Sequence, residues 1–76
     1  MTRHECPVII PDICQVGEYA NAFRIMPEGN NEVVLDFCVY SEAENRATVV
    51  CRIRVSRAFL PNIRNRLREA FQELPA

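Results

Sequence analysis

The residues best suited to chemistry in this 76-residue chain are one histidine, four cysteines and nine arginines. His4, Cys6 and Cys14 could supply three metal ligands, but their spacing matches no common zinc site and a fourth ligand is missing. Neither these cysteines nor Cys38 and Cys51 form a Cys-x-x-Cys pair, the strongest spacing for metal or redox chemistry. We therefore expect reduced thiols packed as small apolar groups, with no metal and no cofactor.

Catalytic groups are also sparse. His4 is the single histidine, and no Ser-His-Asp, Cys-His or paired-carboxylate arrangement can be assembled around it. Gly17 and Gly29 are the two glycines, so the chain has no glycine-rich phosphate loop. We expect no catalytic residues and a protein that is not an enzyme.

Composition indicates one small soluble domain, because 49% of the residues are apolar and 25% are charged. No apolar stretch approaches the length of about 20 residues that spans a membrane. The first ten residues lack the apolar run of a signal peptide. The expected location is the cytoplasm, with no membrane partner.

The pattern along the chain predicts an α+β fold, an antiparallel three- to four-stranded β-meander with one C-terminal helix packed on one face. Residues 1–18 are interpreted as an N-terminal arm, in which residues 8–10 could form a short edge strand. Residues 19–76 form the single domain. Strands are predicted near 19–26, 32–40 and 46–55, separated by turn-forming residues at 27–30 and 41–45.

The last segment, residues 56–74, has the periodicity of an amphipathic helix. Ser56 is a good N-cap, and Pro61 is well tolerated if the regular helix begins near residue 60. Its apolar stripe is Leu60, Ile63, Leu67, Phe71 and Leu74.

Alternation predicts the pairing of the second and third strands, with Tyr40 opposite Arg46. The odd-numbered residues then share one face, which the helix is expected to cover. They are Val33, Leu35, Phe37 and Val39, facing Ile53, Cys51, Val49 and Ala47.

The even-numbered face is more apolar than a solvated sheet face usually is. We expect it to pack against a second copy, the N-terminal arm or another protein. The predicted oligomer interface comprises Met26, Val34, Cys38, Tyr40 and Val50. The same face pairs Asp36 with Arg52 and Glu32 with Arg54, which we interpret as structural ion pairs that fix the strand register.

Charge divides the chain. Residues 1–45 have two arginines against eight acidic residues, whereas residues 46–76 have seven arginines against two. Arg57, Arg64 and Arg68 share a stripe of the helix, with Arg66 on its flank, and Arg57 opposes the helix dipole. Three interpretations remain open: binding of nucleic acid, head-to-tail or dimeric pairing of acidic and basic surfaces, and a solvated helix face.

These features predict a small non-enzymatic protein–protein interaction or regulatory module. It would form a homodimer through the uncovered sheet face and engage an acidic partner with its arginine-rich helix. The alternative is a nucleic-acid-binding protein that uses the arginine stripe, although the net charge of −1 weighs against it.

Residues 18–73 resemble a family, the small prokaryotic domain of unknown function numbered 3467. Matching positions are Tyr19, Asn21, Asp36, Phe37 and Arg52. Family members often place proline directly after the serine that opens the helix, whereas here Arg57 follows Ser56. The resemblance implies a compact strand-rich domain with a C-terminal helix, and it implies no activity and no cofactor.

Overall fold

The computed structural model describes residues 6–73 as a three-stranded antiparallel sheet followed by one helix. The strands are β1 (Ala22–Glu28), β2 (Glu32–Ser41) and β3 (Arg46–Ser56), in the spatial order β1-β2-β3, and the helix is α1 (Leu60–Glu73). The predicted α+β meander with a C-terminal helix is therefore confirmed. Leu74 and the first five residues of the predicted arm, with His4 among them, lie outside the described residues.

The described part of the N-terminal arm, residues 6–18, contributes no strand to this sheet. Residues 8–10, predicted as a possible edge strand, have no regular structure, and the arm contains one turn of 3-10 helix at Asp12–Cys14. Asn21, directly before β1, extends the pairing with β2 through its side chain. Its Oδ1 accepts a hydrogen bond from the backbone N–H of Tyr40 at 2.7 Å, and its Nδ2 donates to the carbonyl of Tyr40 at 3.2 Å.

The β1–β2 hairpin is tighter than predicted. β1 continues through Pro27, which an edge strand tolerates because one row of its backbone groups needs no partner. The turn follows at residues 29–31, where Gly29 adopts φ +65°, a left-handed conformation that glycine reaches without steric cost.

The predicted register of β2 and β3 is wrong. Ser41, not Tyr40, is opposite Arg46, because the connecting loop has four residues and Asn45 closes it in a left-handed conformation with φ 50°. Farther along, Phe37 pairs with Cys51 but Cys38 pairs with Val49, so that Val50 is an extra residue in a β-bulge. The bulge places Val49 and Ala47 on the face opposite to the predicted one.

Ser56 caps the segment that leads into α1, as its residue type suggested. Its Oγ accepts a hydrogen bond from the N–H of Ala58 at 3.2 Å, which begins a 3-10 turn at Arg57–Phe59. The regular helix then starts at Leu60, and Pro61 occupies its first turn, where no hydrogen bond is lost.

The helix does not cover the sheet, contrary to the sequence-based expectation. Leu67 and Phe71 in the apolar stripe are 57% and 77% exposed, and Phe23 on the sheet is 63% exposed. The radius of gyration is 15.4 Å, whereas a compact chain of this length has about 11 Å. The buried residues of the described segment, Val33, Val34, Asp36 and Cys38, all lie in the central strand β2.

Candidate interaction surfaces

One face of the sheet, here called the arginine face, is organised around a buried carboxylate. Asp36 on β2 has no solvent exposure and lies between Arg24 on β1 and Arg52 on β3. Arg52 donates to it through Nε at 2.7 Å and through Nη2 at 2.9 Å, and Arg24 donates through Nε at 2.9 Å. A single carboxylate thus ties all three strands together.

The two arginines keep Asp36 ionised. Hydrogen bonds from Arg52, followed by those from Arg24, lower the pKa of Asp36 from its ordinary 3.8 to about 2, although burial acts in the opposite direction. Both guanidinium groups remain half exposed to solvent. This arrangement fits a structural ion cluster that is sealed on the inside and hydrated on the outside.

A second ion cluster lies toward the hairpin end of the same face. Arg54 donates to Glu28, and its Nη1 is 4.0 Å from the carboxylate of Glu32. The hydrogen bond from Arg54 also lowers the pKa of Glu28. With three arginines and three acids, these clusters balance their own charge.

The predicted ion pairs are therefore present, but sequence reasoning missed two members. Arg24 is not among the predicted ion pairs, and Glu28 falls within the segment 27–30 that was predicted as a turn. Both follow from the tight hairpin, which brings Arg24 opposite Asp36 and Glu28 opposite Glu32. The available signal was the pair of turn-forming residues Gly29 and Asn30, which allows β1 to extend to Glu28.

The predicted oligomer interface on this face offers little free surface. Val34 and Cys38 are 4% and 6% exposed within the chain itself, and Met26 is half-buried. Val50 lies at the bulge and lines a crevice with Phe37 and Cys51, on the opposite side of the sheet. Tyr40 remains exposed, and its hydroxyl is 3.3 Å from Oδ1 of Asn45.

The opposite side of the sheet, here called the apolar face, carries exposed aromatic and aliphatic side chains. The rings of Phe23 and Phe37 stack there with centroids 6.2 Å apart and an interplanar angle of 28°. The exposed members of the apolar face are Phe23, Ile25, Phe37, Cys51 and Ile53. An unbroken surface of this kind on a small chain is typical of an interaction site.

The N-terminal arm borders the apolar face but leaves it open. A crevice of about 490 Å³ separates Ile13, Cys14 and Gly17 of the arm from Phe37 and Cys51 of the sheet. Ile13 is itself 92% exposed, so the arm does not pack onto the sheet as a cover.

The helix arginines differ in their surroundings. Arg66 is 3.6 Å from Glu69, and Nε of Arg64 donates to the side chain of Asn65 at 3.2 Å. Arg57 and Arg68 form no ion pair within residues 6–73. The predicted stripe is thus exposed, and Arg66, on its flank, has its charge partly neutralised.

Within the described part of the chain, no cluster of His, Cys, Asp and Glu could hold a metal ion. Cys6, Cys14 and Cys51 are exposed free thiols, and Cys38 is buried. Over the same residues, no helix is long and apolar enough to cross a membrane.

No family model, curated protein or solved structure matches this chain. The resemblance to the domain of unknown function numbered 3467 therefore stays a prediction.

Proposed function

We propose that this protein is a non-enzymatic protein–protein interaction module. It self-associates through the surfaces left exposed on the sheet and the helix, and it offers the arginines of α1 to an acidic protein partner.

The observation that carries this proposal is the amount of exposed surface. The chain exposes 7198 Å², whereas a compact protein of its mass exposes about 4,800 Å². The excess is about 2,400 Å² per chain. Two chains that associate could therefore bury a total area within the range of obligate dimer interfaces. The apolar face and the stripe of α1 are the parts of this excess that water solvates least well.

Sedimentation equilibrium tests self-association. The wild-type chain is expected to be a dimer at about 50 µM, and the Phe37→Asp variant a monomer, because a charge in the middle of the apolar face cannot be buried without a partner. Tyr19→Asp is the matched control: Tyr19 is an exposed aromatic residue outside the sheet, and this variant should stay dimeric. A wild-type chain that is monomeric at about 500 µM contradicts the proposal.

The acidic partner is supported by the exposed positive charge of α1. Arg57 and Arg68 form no ion pair with another described residue, and Arg57 sits at the start of the helical segment, where positive charge opposes the helix dipole. Positive charge at the start of a helix does not stabilise the helix. Binding to an external anionic surface would explain why an arginine occupies this position. Guanidinium groups bind carboxylates through two parallel hydrogen bonds, which gives such a contact direction as well as charge.

Binding of an Asp/Glu-rich peptide tests this part of the proposal. Arg68→Gln should weaken binding several-fold, whereas Arg46→Gln, an equal change of charge at the far end of β3, should not. Equal loss in both variants would show an unspecific charge effect and contradict the proposal. Tighter binding of RNA or DNA that depends on Arg68 would replace the acidic protein by nucleic acid as the ligand.

A further inference from the structure

The chain has two apolar surfaces that suit each other and are both largely exposed. The apolar face of the sheet is one. The other is the apolar stripe of α1 (Leu60, Ile63, Leu67 and Phe71), in which exposure rises along the helix. Leu60 and Ile63 are half-buried, Leu67 is 57% exposed and Phe71 is 77% exposed. The helix therefore leaves its own sheet as it proceeds.

The connection between β3 and α1 fixes this direction. A 3-10 turn links the two elements without any loop residues between them. The N–H of Arg57 donates to the carbonyl of Asn31 in the β1–β2 turn at 2.7 Å, and Ser56 caps the same turn through Ala58. In this arrangement most of the stripe of α1 stays exposed, and packing against a second chain would leave these hydrogen bonds in place.

The dimensions of the two surfaces agree. A helix of 14 residues is about 21 Å long, and a strand of 10 residues extends about 33 Å. The stripe of one helix therefore fits within the length of one sheet. Because one chain supplies both halves, a two-fold pair of chains would cover both sheets and both stripes at once.

We infer that α1 of each chain packs on the apolar face of a second copy, so that the two chains exchange their helices reciprocally. The inference deepens the proposed self-association and rests on it. The occupant of the apolar face is then the partner's helix. It is not the chain's own helix, the arm or another protein.

A disulfide experiment tests the exchange, because Cys51 is an exposed thiol on the apolar face. Leu67→Cys is introduced in a chain whose other thiols are removed by Cys6→Ser, Cys14→Ser and Cys38→Ala, and the protein is oxidised mildly. Non-reducing electrophoresis and peptide mapping should show a bond between residue 51 of one chain and residue 67 of the other. Asn65→Cys, two residues away on the outward side of α1, is the matched control and should give at least tenfold less covalent dimer.

Phe71→Cys is a second variant on the same stripe, in case Leu67→Cys impairs packing, and circular dichroism checks that each variant folds. An intramolecular bond in a chain that sediments as a dimer overturns the exchange but leaves the proposed function intact. An intramolecular bond in a monomer overturns both. Equal cross-linking in the control, or no bond at either stripe position, also overturns the exchange.

Discussion

Asp36 shows how one side chain determines the arrangement of a three-stranded sheet. It is fully buried, and its carboxylate receives three hydrogen bonds from arginines on the two neighbouring strands. A slip of either strand by one residue would move an arginine to the other face and leave a buried charge short of donors. The cluster therefore favours one register over its neighbours, which is a contribution to specificity as much as to stability.

The stability of the protein should depend on pH through this carboxylate. Folding lowers the pKa of Asp36 from 3.8 to about 2, so the stabilisation is complete above the unfolded value and is lost as the pH falls from about 4 toward 2. We expect urea midpoints to fall over this window in the wild-type chain. Asp36→Asn should be less stable than the wild-type chain at pH 7, and its urea midpoint should change less with pH over the same window.

Glu42→Gln is the control for this measurement, since Glu42 is exposed and forms no ion pair with another described residue. All three chains are compared at one protein concentration, because self-association would add to their stability. Equal pH profiles for the wild-type chain and Asp36→Asn would show that the carboxylate is not held by its arginines.

At the scale of elements, the turn between β3 and α1 determines where the helix goes. Ser56 ends β3 and caps the 3-10 turn, and Arg57 attaches that turn to the neighbouring hairpin. The position of α1 therefore depends on a few hydrogen bonds close to the sheet rather than on packing along the length of the helix.

Removing the cap should weaken this connection measurably. Ser56→Ala deletes the oxygen that accepts from Ala58 and should reduce the free energy of unfolding by about 0.5–2 kcal/mol. Ser56→Thr keeps the acceptor and should stay close to the wild-type value in thermal or urea unfolding. If alanine and threonine behave alike, the hydroxyl does not cap the turn.

The elements also show what the sequence could predict and what it could not. The bounds of β2 and β3 agree with prediction within one residue, because turn-forming residues flank both strands. The register failed for two reasons: the loop after β2 has four residues rather than the five that were assumed, and the extra residue Val50 interrupts the alternation of β3 without a recognisable signal in the sequence. Periodicity likewise identified the apolar stripe of α1, but a stripe indicates that a partner is needed and does not indicate which surface supplies it.

The whole molecule exposes more surface than a stable chain of 76 residues usually does. Among residues 6–73, the buried residues are confined to one strand, while most of the apolar face and of the stripe of α1 remains exposed. A chain of this size has a narrow stability margin, so an exposed apolar surface of this extent is a strong reason for association.

Association of this kind should make thermal stability depend on protein concentration. For a dimer that unfolds to separate chains, a tenfold rise in concentration adds about 1.4 kcal/mol and should raise the midpoint by about 4 °C. The shift is measured by circular dichroism over two decades of concentration. The Phe37→Asp variant should show none, and a wild-type midpoint that does not move would contradict association coupled to folding.

The open sheet has two edges, and their chemistry has a consequence for solubility. The edge of β1 contains Pro27, which cannot donate a hydrogen bond to an added strand. The edge of β3 has no proline, and it carries Arg46, Arg52 and Arg54 along its length. Positive side chains on an edge strand discourage other strands from joining it. Arg52 and Arg54, which hold the carboxylates of the arginine face, thus also limit growth of the sheet into fibrils.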